Sequence, residues 1–298
     1  MSPKRFNSTQ KRVLNTLISG TCFVFREKTL ALAKLVLPFL PFGKAIAVAS
    51  ILVEKFPTTH ATKPFYATAR PRWRRTFVFR LNPYCPLSKL FALTGLFQPE
   101  ITEKLIKGKR RGVLVDIGAN FGYFSVLWLS KRNTEVLAVE PIRENYELLI
   151  ANLGQFGRRA KTVMCCLGEQ TGEVTMSYDP EYPMLSKINP HAAHGQRVEM
   201  RMLRDVLEET GTAIIEVLKC DAEGHDIRIL SGAHEIFEEK RIRMVFFEWR
   251  TWDGERASGL EEFCQLLATN GYRLVCNKSE SDWCYELLNA QPEQIQTP

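Results

Sequence analysis

Residues 113–125 read Val-Leu-Val-Asp-Ile-Gly-Ala-Asn-Phe-Gly-Tyr-Phe-Ser, and this stretch decides the fold. A short apolar run meets an acidic residue, and Gly118, Asn120 and Gly122 follow at alternate positions before an apolar segment with helical character. The pattern is typical of a buried parallel strand that turns sharply into a helix whose first N–H groups face a ligand. Glycine tolerates a positive φ, and asparagine is the next most tolerant residue. The turn therefore predicts a nucleotide-type cofactor site, with a tight turn that binds nothing as the alternative.

A second apolar strand follows this turn and ends at Glu140, with Pro141 directly after it. Gly118 and Glu140 are 22 residues apart, which is the distance at which a carboxylate accepts hydrogen bonds from ribose hydroxyls in doubly wound folds. We therefore expect Glu140 to be a ribose ligand. The alternative is an incidental surface charge at the end of a strand.

The middle residue of the turn bears on which cofactor binds. A dinucleotide needs a glycine there so that its pyrophosphate can approach the backbone, and Asn120 occupies the position. S-adenosylmethionine has no phosphate and presents a carboxylate, an ammonium and a sulfonium cation. A turn of backbone N–H groups beside Asp116 suits those groups, so the residues favour adenosylmethionine over a dinucleotide.

The rest of the chain alternates predicted strands and helices. The predicted strands lie near 112–117, 135–140, 161–167, 213–221, 242–248, 272–276 and 283–288. The predicted helices lie near 121–131, 143–155, 203–210, 225–237 and 259–270. Such alternation favours an α/β fold with a largely parallel sheet and helices on both faces. The connection over residues 168–212 is too long for a plain crossover and predicts an insertion that covers the site.

A second polar cluster follows the predicted strand that contains Ile214–Leu218. Lys219, Asp221 and Glu223 come at alternate positions, with His225 just beyond them, and ligands of open α/β sheets bind at this carboxyl edge. The two carboxylates are candidates for a general base, with the histidine as a third. The lysine could hold an acceptor oxygen. The alternative is a buried ion pair between the lysine and a carboxylate that shapes the strand end.

Metal ligation is a separate question. Asp221, Glu223 and Glu248 are hard ligands that suit Mg²⁺, but no fixed ligand spacing supports such a site, so we expect no metal. His191 and His194 form an H-x-x-H pair without a cysteine or an acidic cluster nearby. We expect these histidines to line the acceptor pocket or to lie exposed in a loop.

The charge of the chain is divided unevenly. Residues 1–112 carry 21 Lys and Arg against 4 Asp and Glu, a net charge of +17, whereas residues 113–298 carry a net charge of −10. This split is typical of a basic arm that meets an anionic surface and is joined to an acidic globular domain. Phospholipid, an anionic glycolipid and nucleic acid all fit such an arm, and composition alone does not choose between them.

The basic arm is also partly apolar. Lysines and Pro38 and Pro41 interrupt residues 30–53, so no uncharged run reaches the ~18–20 residues that a spanning helix needs. Broken apolar stretches flanked by Lys and Arg favour helices that lie on a membrane surface, with a helical subdomain packed on the main domain as the alternative. We expect peripheral membrane contact through residues 1–75 and no nucleic-acid partner.

Eight cysteines occur, without any C-x-x-C motif. Scattered cysteines in a chain of this length fit a reducing compartment, so we expect a cytoplasmic protein, with membrane association through its arm. With 45% hydrophobic residues, the chain can bury a substantial core, which excludes global disorder.

Four motifs occur in a characteristic order. They are Asp116-Ile-Gly-Ala-Asn-Phe-Gly-Tyr-Phe-Ser125, Val139-Glu-Pro141 with Asn145, Leu218-Lys-Cys-Asp-Ala-Glu-Gly224 with Leu230-x-Gly232-Ala233, and Phe246-Phe-Glu248. Together they strongly resemble the FkbM family of S-adenosylmethionine-dependent methyltransferases, over roughly residues 95–288. Cys166-Leu167 stands where Ala-Leu is more usual at the end of the third strand, a mild departure within the expected adenine pocket.

The resemblance implies a Rossmann-like class I methyltransferase fold, with a seven-stranded, mostly parallel sheet whose last strand is antiparallel. It also implies O-methylation of a hydroxyl on a sugar, glycolipid, polysaccharide or secondary metabolite, with a small-molecule or glycan acceptor. The expected cofactor contacts are Asp116, Gly118, Ala119, Asn120, Gly122, Glu140, Pro141, Cys166 and Leu167.

The expected domain organisation has three parts. Residues 1–75 form the basic, helical or membrane-peripheral extension, residues 76–111 a lead-in strand and helix, and residues 112–290 the methyltransferase domain with the insertion 168–212. Two other function classes stay open at this point. One is a catalytically idle Rossmann-like binding module at a membrane or anionic partner, and the other is an NAD-dependent oxidoreductase, against which Asn120 counts.

Overall fold

The computed structural model describes residues 98–179, 186–192, 195–249, 259–276 and 282–288, together with 65–69, 77–82 and the single residues 85, 88 and 91. These residues fall into two compact units that divide after Glu100. The first unit contains an antiparallel pair of strands, β1 (Phe65–Ala69) and β2 (Phe77–Leu81). Phe79 in β2 is fully buried and meets the ring of Phe91 edge to face, with the ring centroids 5.2 Å apart.

Seven strands of the second unit form one sheet. They are β3 (Gly112–Ile117), β4 (Thr134–Val139), β5 (Ala160–Val163), β9 (Val217–Cys220), β10 (Met244–Glu248), β11 (Tyr272–Cys276) and β12 (Asp282–Leu287). Their order across the sheet is β11-β12-β10-β9-β3-β4-β5. The last strand, β12, runs antiparallel to both of its neighbours, and the pairs among β10, β9, β3, β4 and β5 are parallel. The predicted seven-stranded, mostly parallel sheet is therefore confirmed.

Helices cover both faces of this sheet. They are α1 (Pro99–Lys107), α2 (Tyr123–Leu129), α3 (Arg143–Leu153), α4 (Leu203–Glu209), α5 (Asp226–Gly232), α6 (His234–Glu238) and α7 (Leu260–Thr269), with a 3₁₀ turn at Gly154–Arg159. Neighbouring residues of a strand point to opposite faces. Asp116 and Lys219 accordingly face α2, whereas Val115 and Leu218 pack in the main core with buried residues of α4 to α7.

The helix predicted over 225–237 is interrupted, so that prediction is wrong in detail. At Ala233 φ is −106° and ψ is 18°, which separates α5 from α6. Directly before this break, a Cβ at Gly232 would lie 2.8 Å from the Cα of Glu169. The chain passes the backbone of the insertion closely here, and an unbroken apolar pattern gives no sign of that contact.

The strand predicted over 161–167 is also wrong, because it is two strands in two sheets. The main-sheet strand β5 ends at Val163, and Cys166–Gly168 forms β6 in a separate sheet with β7 (Gly172–Ser177) and β8 (Gly195–Met202), in the order β6-β8-β7. Cys165 is buried in the main core, whereas Cys166 packs in a second cluster with Ile142 and residues of β7 and β8. The chain changes sheets between these two cysteines, and β7 and β8 of the small sheet lie within residues 168–212.

The predicted basic arm lies outside the described residues, apart from the backbone of 65–69. Among the helices that the structure describes, none has the length and apolar character needed to cross a membrane.

Candidate active site

The turn after β3 places three residues in the left-handed region. The φ angles are 67° at Gly118, 51° at Asn120 and 86° at Gly122. The backbone N–H groups of Gly118 and Ala119 both donate to the carbonyl of Val139, at 3.0 Å each. Positive φ at a non-glycine residue is uncommon and is maintained only when surrounding contacts determine it. The turn is therefore a fixed structure joined to the end of β4.

Glu140 is the residue that fixes the middle of this turn. It is 4% exposed, and its Oε2 accepts a 2.8 Å hydrogen bond from the backbone N–H of Asn120. Its Oε1 accepts from the N–H of Ile142 at 3.0 Å and from the side-chain amide of Asn145 at 3.3 Å. Burial raises the pKa of Glu140, and these donors oppose that rise.

Of the two residues expected at the adenine, Cys166 interacts with this carboxylate. Cys166 packs against Ile142, and the charge of Glu140 contributes to the rise of its pKa to about 12, after burial and the neighbouring Cys165. Leu167 is 2% exposed and belongs to the main core. Pro141 is half-buried between Glu140 and Ile142.

Lys219 forms a buried charge network under the turn. Its ammonium donates to the carbonyls of Gly118 at 3.1 Å and Ile117 at 3.3 Å, and it lies 3.5 Å from carboxylate oxygens of both Asp116 and Asp221. Burial alone lowers the pKa of Lys219, but the two carboxylates outweigh it and raise that pKa above its ordinary value. The structure therefore contains the buried ion pair between Lys219 and a carboxylate that the sequence analysis gave as an alternative.

Asp116 is fully buried, and this bears on its expected role. One carboxylate oxygen accepts a 2.7 Å hydrogen bond from Ser125 in α2, and the other faces Lys219. In this structure the carboxylate of Asp116 thus contacts Ser125 and Lys219.

Three carboxylates converge at the carboxyl edge of the sheet. One oxygen from each of Asp221, Glu223 and Glu248 lies within 4.8 Å of the others. Glu248 is 5% exposed, and Glu223 holds a left-handed φ of 49°. The cluster adjoins the turn that begins at Gly118, since a Cβ on Gly118 would lie 1.9 Å from the carbonyl oxygen of Asp221. Oxygen ligands at this spacing can bind a divalent cation or share a proton.

The predicted histidines occupy two different places. His225 is half-buried at the start of α5, and burial together with Arg228 lowers its pKa, so its imidazole is neutral at pH 7. His191 is exposed in the insertion, where its backbone N–H donates to Asn189. His194 lies outside the described residues.

Asp226 is a residue that sequence reasoning missed. It is 1% exposed, and its Oδ2 accepts a 3.2 Å hydrogen bond from the backbone N–H of Ala222. Burial and the charge of Asp221 raise its pKa to about 6. An acidic residue in the first turn of a helix is a recognisable signal, but it does not reveal that the side chain turns back into the core.

The chain also matches proteins of known class. Residues 116–274, more than half of the sequence, match the profile of the methyltransferase FkbM domain. The chain belongs to the FkbM methyltransferase family. It is 26% identical to 31-O-demethyl-FK506 methyltransferase FkbM of Streptomyces tacrolimicus, covering 56% of this chain and 74% of that protein. It is 28% identical to methyltransferase sdnD of Sordaria araneosa, covering 56% and 76%.

Solved structures give a weaker likeness to this FkbM-family chain. Precorrin-6y C5,15-methyltransferase from Geobacter metallireducens GS-15 has a TM-score of 0.37 and 13% identity, covering 63% of this chain and 86% of the other. At that TM-score the likeness adds nothing to the sheet order described above.

The cofactor of this FkbM-family methyltransferase is S-adenosylmethionine, which supplies a methyl group on a positively charged sulfur when bound. The residues present fit that molecule. An ionised carboxylate offers about four acceptor positions, and Glu140 uses three of them for Asn120, Ile142 and Asn145. One acceptor position is left for a hydroxyl donor such as that of a ribose.

Proposed function

We propose that this methyltransferase transfers the methyl group to a hydroxyl of a small molecule or glycan, such as a sugar, glycolipid, polysaccharide or secondary metabolite. The observation that carries the proposal is the convergence of Asp221, Glu223 and Glu248 against the Gly118 turn. A hydroxyl is a weak nucleophile, and a carboxylate positioned to remove its proton contributes roughly 10²–10⁴-fold to the rate.

The cofactor is held by the turn from Gly118 to Gly122 and by Glu140. In this arrangement the remaining acceptor position of Glu140 would take a ribose hydroxyl, and Cys166 and Leu167 would border the adenine. The turn lies directly beside the acidic edge, because the carbonyl of Asp221 fills the space beside Gly118. Holding donor and acceptor in line is the main contribution that a protein makes to a displacement of this kind.

The proton of the acceptor hydroxyl passes to a side chain at this edge. Asp221 and Glu223 are the leading candidates, and His225 is a third because its lowered pKa leaves it neutral and able to accept a proton. The bound cofactor would supply the methyl group to the acceptor oxygen, whose proton one of these side chains would hold. The ammonium of Lys219, 3.5 Å from the carboxylate of Asp221, keeps that side chain in place.

Oxygen as the acceptor atom also has support from a relative. The name of the Streptomyces tacrolimicus protein, 31-O-demethyl-FK506 methyltransferase, specifies an oxygen as the methylated atom of its substrate. We propose the same acceptor atom for this chain and leave the carbon skeleton of the acceptor to the experiment below.

Peripheral membrane contact is a further part of the proposal. The net charge of +17 over residues 1–112 supports attraction of this part of the chain to an anionic lipid surface. We propose a cytoplasmic protein whose residues 1–75 make this contact, without nucleic acid as a partner.

The experiment is incubation of the protein with methyl-labelled adenosylmethionine and a fractionated cell extract, followed by identification of the labelled product. We expect a labelled ether, and label on carbon or nitrogen would contradict O-methylation. With that product, Glu223→Gln or Asp221→Asn should reduce transfer by roughly 10²-fold or more, whereas the exposed Glu262→Gln should not. Loss of transfer with EDTA and recovery with Mg²⁺ would instead show that the three carboxylates hold a metal ion.

A further inference from the structure

Asp226 acts on one particular peptide unit, the one that joins Asp221 to Ala222. The N–H of this peptide donates to Asp226 Oδ2 at 3.2 Å. The carbonyl oxygen of the same peptide is the atom that a Cβ on Gly118 would meet at 1.9 Å. A peptide unit is planar and rigid, so fixing its N–H also fixes the direction of its carbonyl.

The neighbouring backbone is fixed on both sides of this peptide. The N–H of Asp221 donates to the carbonyl of Ile117 at 3.2 Å, which continues the pairing of β9 with β3. The carbonyl of Ala222 accepts from the N–H of His225, also at 3.2 Å. Asp226 is 1% exposed, so water does not compete for its oxygen. The peptide therefore has one defined orientation, and Asp226 supplies the acceptor for its N–H.

We infer that Asp226 is a positioning residue, which holds the Asp221–Ala222 peptide against Gly118 and so keeps the cofactor turn and the acidic edge in a fixed relation. This inference rests on the proposed function, because it takes the Gly118 turn as the cofactor site. Asp226 touches neither the cofactor nor the acceptor in this arrangement. It acts through the backbone between Asp221 and Glu223.

Substitutions of Asp226 can separate two properties of its side chain, the hydrogen-bond acceptor and the charge. Asparagine keeps an acceptor oxygen at nearly the same place and removes the charge. Alanine removes both. Glutamate keeps both but moves the carboxylate outward by one methylene. Positioning through the hydrogen bond therefore predicts that Asp226→Asn behaves as the wild type, whereas the other two variants do not.

The test is calorimetric titration of S-adenosylhomocysteine into the full-length protein and its variants, with the melting temperature of each measured alongside. We expect about tenfold weaker binding in Asp226→Ala, the change that loss of one buried hydrogen bond typically gives, and binding within about twofold of the wild type in Asp226→Asn. Glu216→Ala is the control. Glu216 forms an ion pair with Arg110 and directly precedes β9, at the end of that strand away from Asp221.

The outcomes distinguish this inference from the proposed function. Wild-type protein that does not bind S-adenosylhomocysteine would contradict the cofactor site itself. Wild-type binding together with unchanged affinity in Asp226→Ala would overturn the positioning role, and so would equal losses in Asp226→Ala and Asp226→Asn. If Asp226→Ala does not fold, Asp226→Glu takes its place, and wild-type affinity in that variant would overturn the role in the same way.

Discussion

Gly118 is the residue at which the backbone of the site is most crowded. Its φ of 67° lies in the left-handed region, and the carbonyl oxygen of Asp221 occupies the place where a side chain would begin. A left-handed φ costs an L-residue about 1–2 kcal/mol, and a clash with backbone cannot be relieved by rotating a side chain. The identity of this residue is therefore set by two independent requirements.

Gly118→Ala tests the second requirement. We expect it to lower the free energy of unfolding by more than the ~1–2 kcal/mol of the left-handed φ and to abolish binding of S-adenosylhomocysteine. Gly211→Ala is the matched control, because Gly211 has a φ of 65° and nothing within 4 Å of its would-be Cβ. Urea unfolding and calorimetry of both variants check this, and equal losses of stability would contradict the crowding argument.

Asp226 also makes stability depend on pH. Its pKa is about 6 in the folded protein, against an ordinary value of 3.8, because of burial and the charge of Asp221, with Lys219 opposing the rise. The folded state thus binds this proton more tightly than the unfolded state. The stability that the proton confers is fully present below about pH 4 and is lost as pH rises through about 6.

Asp226→Asn should remove this dependence. Between pH 4 and pH 7 the wild type should lose ~3 kcal/mol of unfolding free energy relative to this variant, since each pKa unit is worth about 1.4 kcal/mol. Urea unfolding at several pH values measures the shift. A difference that stays constant with pH would show that Asp226 titrates normally.

At the scale of elements, the ammonium of Lys219 links strands β3 and β9 to the turn. It contacts Asp116 in β3, Asp221 after β9 and the carbonyls of Ile117 and Gly118. A buried ion pair is weak support for stability as a whole, but removing one partner leaves an uncompensated charge.

Lys219→Met should therefore be strongly destabilising. We expect a loss of about 3–5 kcal/mol in unfolding free energy, because Asp116 is then buried without its cation. Lys161→Met, which removes an exposed lysine that donates to the carbonyl of Thr210, should cost under ~1 kcal/mol. Denaturant unfolding compares the two, and a loss below ~1 kcal/mol in Lys219→Met would contradict the network.

The sequence was informative where local chemistry determines local structure. Gly118, Asn120 and Gly122 predict the turn because few other residues adopt positive φ, and the spacing from Gly118 to Glu140 predicts a ribose-binding carboxylate at the end of the next strand. The change of sheet between Cys165 and Cys166 was not predictable, because two adjacent apolar cysteines give no sign of which sheet each one packs in. Asp226 was missed for a similar reason: its role depends on a backbone N–H four residues earlier, which no side-chain pattern encodes.

At the scale of the whole molecule, charge and chemistry lie in different parts of the chain. Residues 1–112 carry a net charge of +17, whereas the family match begins at residue 116. Deletion of residues 1–75 should leave binding of S-adenosylhomocysteine unchanged and should abolish binding to vesicles that contain anionic phospholipid, because the basic arm is then missing. Vesicle sedimentation and calorimetry measure both, and retained vesicle binding would contradict peripheral contact through this arm.

We propose that the Gly118 turn and Glu140 together bind the methyl donor. Calorimetric titration of S-adenosylhomocysteine into the wild type and Glu140→Ala tests this claim most directly. We predict saturable binding to the wild type in the micromolar range, with one ligand per chain. We predict no detectable binding to the variant, whose melting temperature should show that it is folded. Equal affinity in the two proteins would contradict the claim.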